Sequence, residues 1–148
     1  MKIFLDTNIF VEYIEHRMQF DDVQKMMHAA EDGRFSLLIS NGSLYTLSFI
    51  VERALKSQGI HRPEQTQMIR KILSSILSVS NLCALSQSDA EIAIGNTAFS
   101  DLEDSFQYQC AVANGCDILV TINYKDFKLA DQSTLQILTP SEFVREYL

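Results

Sequence analysis

Lys2-Ile3-Phe4-Leu5-Asp6-Thr7-Asn8 is the stretch that decides how this chain reads. A short apolar run bounded by polar residues has the signature of a buried strand. The carboxylate at its tip packs poorly and is well placed to bind a cation. Either Thr7 or Asn8 suits the cap of a following helix that reaches about Arg17.

The same pattern recurs outward along the chain. Phe35 to Ile39, Leu82 to Leu85, residues 117 to 122 and Leu135 to Leu138 read as further short strands. Between the first two, Val23, Met26, Met27 and Ala30 mark a helix with Asp21 as its cap and Gly33 at its stop. A turn at Ser40 to Gly42 leads into a helix from Ser43 to about Ser57, closed by Gly59. Pro63 opens the next, with Met68, Ile69, Ile72, Leu73, Ile76 and Leu77 as its face. Capping-box spacing appears at Ser88-Asp89-Ala90-Glu91, Ser100-Asp101-Leu102-Glu103 and Thr139-Pro140-Ser141-Glu142. The middle box opens a helix with Leu102, Phe106, Cys110 and Ala113 on one stripe, ending at Gly115. Short strands separated by helices imply right-handed βαβ units. The expected fold is therefore α/β: three layers, with a mainly parallel sheet of four to five short strands between helices. With no linker and no repeat, residues 1–148 are expected to form one domain.

Composition narrows the function. The residues are 47% hydrophobic and 21% charged, which excludes a disordered chain. No run is long enough to span a bilayer, and the first apolar stretch is cut at Asp6, unlike a secretory signal. A cytoplasmic protein without membrane contact is expected. Cys83, Cys110 and Cys116 lack paired metal or redox spacing and read as buried free thiols in a reducing compartment. A net charge of −7 argues against a protein that coats DNA generically.

In an open parallel sheet, groups at the carboxyl ends of the strands share one crevice. Asp6 ends the first strand, and Thr121 and Asn123 end a later one. Asp101 and Asp104 stand in the first turn of the helix that feeds that later strand, so all these oxygens can converge. Gathered carboxylates repel one another until a cation or a proton intervenes. Oxygen donors without His or Cys point to magnesium or manganese, and to hydrolysis of a phosphodiester. Plainer readings stand beside this one. Glu103 fits the return leg of a capping box, the helix dipole alone favours Asp101, and Asp126 can pair with Lys125 or Lys128.

Phe4-Leu5-Asp6-Thr7-Asn8, Asp101-Leu102-Glu103-Asp104-Ser105-Phe106-Gln107-Tyr108 and Thr121-Ile122-Asn123-Tyr124-Lys125-Asp126-Phe127 together resemble a PIN domain. The likeness is to its bacterial subgroup near the ribonuclease toxins of toxin–antitoxin modules. The resemblance implies a metal-dependent RNA-cleaving centre using Mg2+ or Mn2+. Asp6 and Asp104 would be the principal metal-binding acids, with Asp101 and Asn123 as further ligands or water-positioning groups. Thr7, Asn8, Thr46, Glu103, Thr121 and Asp126 take supporting places. One departure is notable: the family commonly carries another acid in the helix after the second strand. Here Thr46 stands in that neighbourhood, and Glu52 lies well over a turn beyond.

Arg53, Lys56, Arg62, Arg70 and Lys71 gather in one helical hairpin, as a solvated face or as phosphate contacts lining the approach to the acids. Tyr13, Tyr45, Tyr108 and Tyr124 offer rings for base stacking. The leading expectation is an endoribonuclease acting on single-stranded or loop RNA, with an antitoxin covering its cleft and a homodimer as family habits. The alternative is a degenerate PIN module that binds RNA or a protein without cutting. A phosphatase with Asp6 as nucleophile, as in haloacid dehalogenase-like enzymes, is disfavoured because Asn8 stands where those carry a second Asp.

Overall fold

Residues 1–148 are described by a computed structural model. Five strands, β1 (Lys2–Leu5), β2 (Ser36–Ser40), β3 (Ser80–Cys83), β4 (Ile118–Val120) and β5 (Gln136–Leu138), form one sheet in the order β3-β2-β1-β4-β5. Every neighbouring pair is parallel. Seven helices complete the chain: α1 (Thr7–Ile14), α2 (Phe20–Glu31), α3 (Asn41–Ser57), α4 (Glu64–Val79), α5 (Gln87–Gly95), α6 (Leu102–Ala113) and α7 (Pro140–Tyr147). A short 3-10 turn, Tyr124–Phe127, follows β4. This is the expected α/β/α arrangement, with five strands.

Strand residues alternate between the two faces, and each face has its own core. Ile3, Leu5, Leu37, Ile39, Ile118 and Val120 pack with Ile9, Phe10, Val23, Met26 and Phe143 from α1, α2 and α7. On the other face Phe4, Leu38, Leu119 and Ile137 meet Phe99, Phe127, and Tyr108, Cys110 and Ala111 of α6. Phe4, Phe10, Phe127 and Phe143 are fully buried, and truncating one to Ala costs about 3–5 kcal/mol. All three cysteines are free and buried. No helix is long and apolar enough to cross a membrane.

Several local expectations shift. Asp6, not Thr7 or Asn8, occupies the N-cap position of α1, and its side chain makes no cap bond. Gln19 holds that position for α2, with Asp21 inside the first turn. The turn expected at Ser40 to Gly42 is the start of α3, where Ser40 Oγ accepts from the Ser43 N–H at 3.1 Å. β2 and β3 sit one or two residues from the expected spans. Because β3 ends at Cys83, the capping box of α5 uses Ser86 and Asp89 rather than Ser88 and Glu91. Asp101 itself caps α6, leaving Ser100 outside, whereas Thr139 and Glu142 form the expected box of α7. Leu102 is 53% exposed and Leu77 40%, so neither belongs to the stripe read for its helix.

The topology fixes one edge. The connection from β1 leads toward β2 on one side, while β4 pairs on the other, so the carboxyl ends of β1 and β4 bracket the switch point where α/β folds open a crevice. Leu5 lies beside Val120, and the Asp6 N–H donates to the Val120 carbonyl at 3.0 Å.

Candidate functional site

Asp6 emerges at that switch point and is only 3% exposed. Its Oδ2 accepts from Thr121 Oγ1 and from Asn8 Nδ2, each at 2.7 Å. Thr121 Oγ1 in turn accepts from the Asn123 N–H at 3.0 Å, and Asn8 Oδ1 accepts from the Ile122 N–H at 3.3 Å. These bonds tie the carboxylate to the end of β4. Burial still prevails over them and, with the field of Glu103, holds the Asp6 carboxyl up at about 6.

Asp104 lies in the first turn of α6, the helix that precedes β4 and whose N-terminus therefore returns to the same edge. It is buried, and burial followed by the charges of Asp6, Asp101, Asp126 and Glu103 pushes its carboxyl to about 7. No hydrogen bond is among the forces acting on it. The charge of Asp6 is the largest of these in effect, so the two carboxyls titrate as a linked pair.

Asp6 and Asp104 share a pocket of about 220 Å3 with Asp101, Glu103, Asn123 and Asp126; Thr7, Asn8 and Thr46 complete its polar wall. Thr121 is fully buried beneath it, bonded to Asp6. Asp101 Oδ1 accepts from the Glu103 N–H at 2.7 Å, so it both caps α6 and faces the pocket. Glu103 makes no capping box. The ion pairs of the molecule lie elsewhere, so Asp126 is paired with neither Lys125 nor Lys128. Glu52 is engaged with Arg62 at 3.0 Å, while Thr46 stands in the pocket.

No three acidic, His or Cys side chains stand closely enough to hold an ion by themselves. Two carboxylates kept above their ordinary range by burial and by neighbouring negative charge suit an ion that retains most of its waters. Magnesium is commonly bound through one or two carboxylates in that way, and the oxygen-only donor set excludes a thiolate or imidazole site. The residues present therefore fit Mg2+ or Mn2+.

Beside the pocket lies a polar cluster that sequence reasoning missed. Thr7 Oγ1 and Ser43 Oγ are 2.7 Å apart, and Gln107 Nε2 donates to both, at 2.9 and 3.1 Å. Ser40 Oγ joins Ser43 Oγ at 2.9 Å. The available signal was position: Gln107 sits three residues after Asp104, on the same helical face.

The basic residues of the hairpin do not line the acidic pocket. Arg62 pairs with Glu52, Arg53 stacks over Phe49 at 5.6 Å, and Lys71 borders a different groove; Lys56 and Arg70 point into solvent. Arg53 comes nearest in register, following Thr46 and Ile50 on one stripe of α3. Tyr108 is buried and its hydroxyl donates to the Asp131 carbonyl at 2.7 Å, which removes it as a stacking platform; Tyr45 and Tyr124 remain exposed. A concavity of about 670 Å3 among α1, α2 and α4, lined by apolar and polar residues alike, holds neither Asp6 nor Asp104.

A parallel sheet with carboxylates converging at its switch point defines an α/β domain with an acidic edge. Residues 2–125 match the family model of the PIN domain, and the chain belongs to that family. It is similar to Ribonuclease VapC1 of Aquifex aeolicus strain VF5, at 27% identity over 154 residues covering 99% of this chain and 95% of the relative. Among solved structures it resembles a chain of VapBC2 from Rickettsia felis, bound to a DNA fragment from their promoter. That likeness has a TM-score of 0.66 and 21% identity, over 93% of this chain and 98% of the other. A chain of VapBC-1 from nontypeable Haemophilus influenzae gives 0.65 and 18%, over 95% and 99%.

Proposed function

We propose that the chain is a metal-dependent endoribonuclease, the toxin of a toxin–antitoxin pair, which hydrolyses RNA phosphodiester bonds to leave a 5'-phosphate. The observation that carries this reading is the frustrated pair: two buried carboxyls in one pocket, held at about 6 and about 7. Membership of the PIN family and likeness to a relative named a ribonuclease support it.

Asp6 and Asp104 would hold Mg2+ or Mn2+, an ion that when bound supplies Lewis-acid activation of the phosphate and of the attacking water. The chain's own contribution is orientation. Thr121 and Asn8 fix Oδ2 of Asp6, and α6 delivers Asp104 rigidly from its first turn. Asp101, Glu103 and Asp126 surround the pair with negative charge that raises affinity for a cation and repels bare phosphate, so substrate enters only with the charge offset. Asn123 offers a neutral amide for positioning a water or a phosphate oxygen.

Purified protein incubated with single-stranded RNA tests the reading. Cleavage dependent on Mg2+ or Mn2+, abolished by chelator and yielding 5'-phosphate ends, is the expected result; no cleavage with any divalent ion removes it. The neutral Thr46 and Asn123 in the pocket favour one second reading, a degenerate PIN module that binds RNA or a protein without cutting. Retained RNA binding with no manganese uptake would select it.

An antitoxin is the partner this function requires, and the VapBC toxin–antitoxin assemblies among the structural relatives support one. A cytoplasmic location and pairing of two copies belong to the same reading.

A further inference from the structure

We propose that a second, neutral pocket beside the acidic one is a nucleobase subsite, which selects the nucleotide next to the bond that is cut; this rests on the ribonuclease reading above. The two pockets share Thr46 and Glu103 as walls. The acidic one lies at the ends of β1 and β4, and its neighbour at the ends of β2 and β3, so one groove follows the carboxyl edge of the sheet. One nucleotide can therefore place its phosphate over the acids and its base next door.

The chemistry of the walls decides what fits. The neutral pocket has a volume of about 360 Å3, within the range of small-molecule sites and larger than the acidic pocket's 220 Å3. Its lining contains no Lys, Arg or His and one carboxylate, Glu103, so a phosphate finds no cationic side chain and a cation finds too few donors. Leu85, Ala90 and the half-buried ring of Phe106 give it apolar sides, while Asn41 at the start of α3 brings an exposed amide. A flat, uncharged group edged with donors and acceptors matches such walls: the ring stacks, and the amide reads its edge. Only an unpaired base can be turned into a pocket of this kind, so the subsite also selects single-stranded or loop RNA over a helix.

The test uses isotopically labelled full chain titrated, without metal, with adenosine, guanosine, cytidine and uridine, and with ribose as control. One or two of the nucleosides should shift the amide signals of Asn41, Ala90 and Phe106, ribose should not, and the response should be lost in Ala90→Leu, whose larger side chain fills the pocket. Asn41→Ala, at an exposed position where misfolding is not at issue, should weaken the preferred nucleoside several-fold and flatten the preference among the four. If cleavage is observed, sequencing the ends cut from a randomised RNA should show one favoured nucleotide at the cut, and Asn41→Ala should redistribute it. Nucleosides that leave these three signals unmoved, or that move them equally in Ala90→Leu, overturn the subsite. Nucleoside binding without RNA cleavage would instead sink the nuclease reading and leave the base pocket standing.

Discussion

Two polar regions lie side by side under the carboxyl edge of this sheet, and they are built on opposite principles. The Thr7, Ser43 and Gln107 cluster is buried, neutral and hydrogen-bonded throughout. One turn earlier on α6, Asp104 is buried, without hydrogen-bond support and pressed upon by four other carboxylates. Satisfied buried polarity joins α1, α3 and α6 into one frame. Crowded negative charge stores a conflict that a ligand can relieve. Both draw on the polar face of one helix, so it is the balance of partners and charge that separates a structural group from a candidate functional one.

The largest expected effect breaks the acidic half. Asp6→Asn or Asp104→Asn should lower metal-dependent RNA cleavage roughly a thousand-fold, about 4 kcal/mol of transition-state stabilisation, measured as kcat/KM on a fixed RNA. The same variants should be more stable than the parent without metal near pH 8, because a buried amide carries no charge to desolvate and none to repel its neighbours. Asn at position 6 keeps an oxygen that can accept from Thr121 and Asn8. Raising Asp6 from 3.8 to about 6 corresponds to roughly 3 kcal/mol against its charged form, the upper bound of that gain.

Gln107→Leu tests the other half with the opposite sign. Removing the amide leaves Thr7 and Ser43 without one partner each and should cost about 2 kcal/mol in urea unfolding, with or without metal. Next in size is Thr121→Val, which deletes the hydroxyl bonded to Asp6 Oδ2. Supporting residues of this kind typically change metal affinity at least 10-fold, and about 10-fold weaker Mn2+ binding is expected by titration.

The most gradual signal is a slope. Asp6 and Asp104 bind a proton more tightly folded than unfolded, so their contribution to stability is fully present below the ordinary carboxyl range and is lost as pH rises through about 6 and about 7. The metal-free protein should therefore lose stability between about pH 4 and pH 7, as chemical denaturation at several pH values would show. The lowered carboxyls of Asp22, Asp89, Asp131 and Glu142 act in the reverse direction, at more acid pH. Asp6→Asn should flatten the slope, and so should saturating Mn2+.

How far these regions were legible from sequence follows from what each depends on. β1, β2 and β4 are apolar runs, and the Thr139 to Glu142 box of α7 is written in adjacent residues, so local patterns suffice. The inward face of α6 resisted reading because it is largely polar, with Asp104, Ser105, Gln107 and Gln109 buried and Leu102 outside. Hydrophobic periodicity cannot register such a face. The position of Asp6 at a strand tip was visible, since the strand is. The Gln107 cluster was not, because its bonds join residues 64 and 100 positions apart and exist only once three elements have packed. The hairpin cations misled for a related reason: charge spacing locates a helix face, and packing decides which way that face looks.

Calorimetric titration with Mn2+ near pH 8, of the parent chain, Asp6→Asn and Asp104→Asn, bears most directly on the central claim that the frustrated pair holds the ion. One site per chain in the parent, lost in both variants while each keeps a cooperative unfolding transition, is the predicted result. Binding of equal strength in all three, or none in the parent, would contradict it.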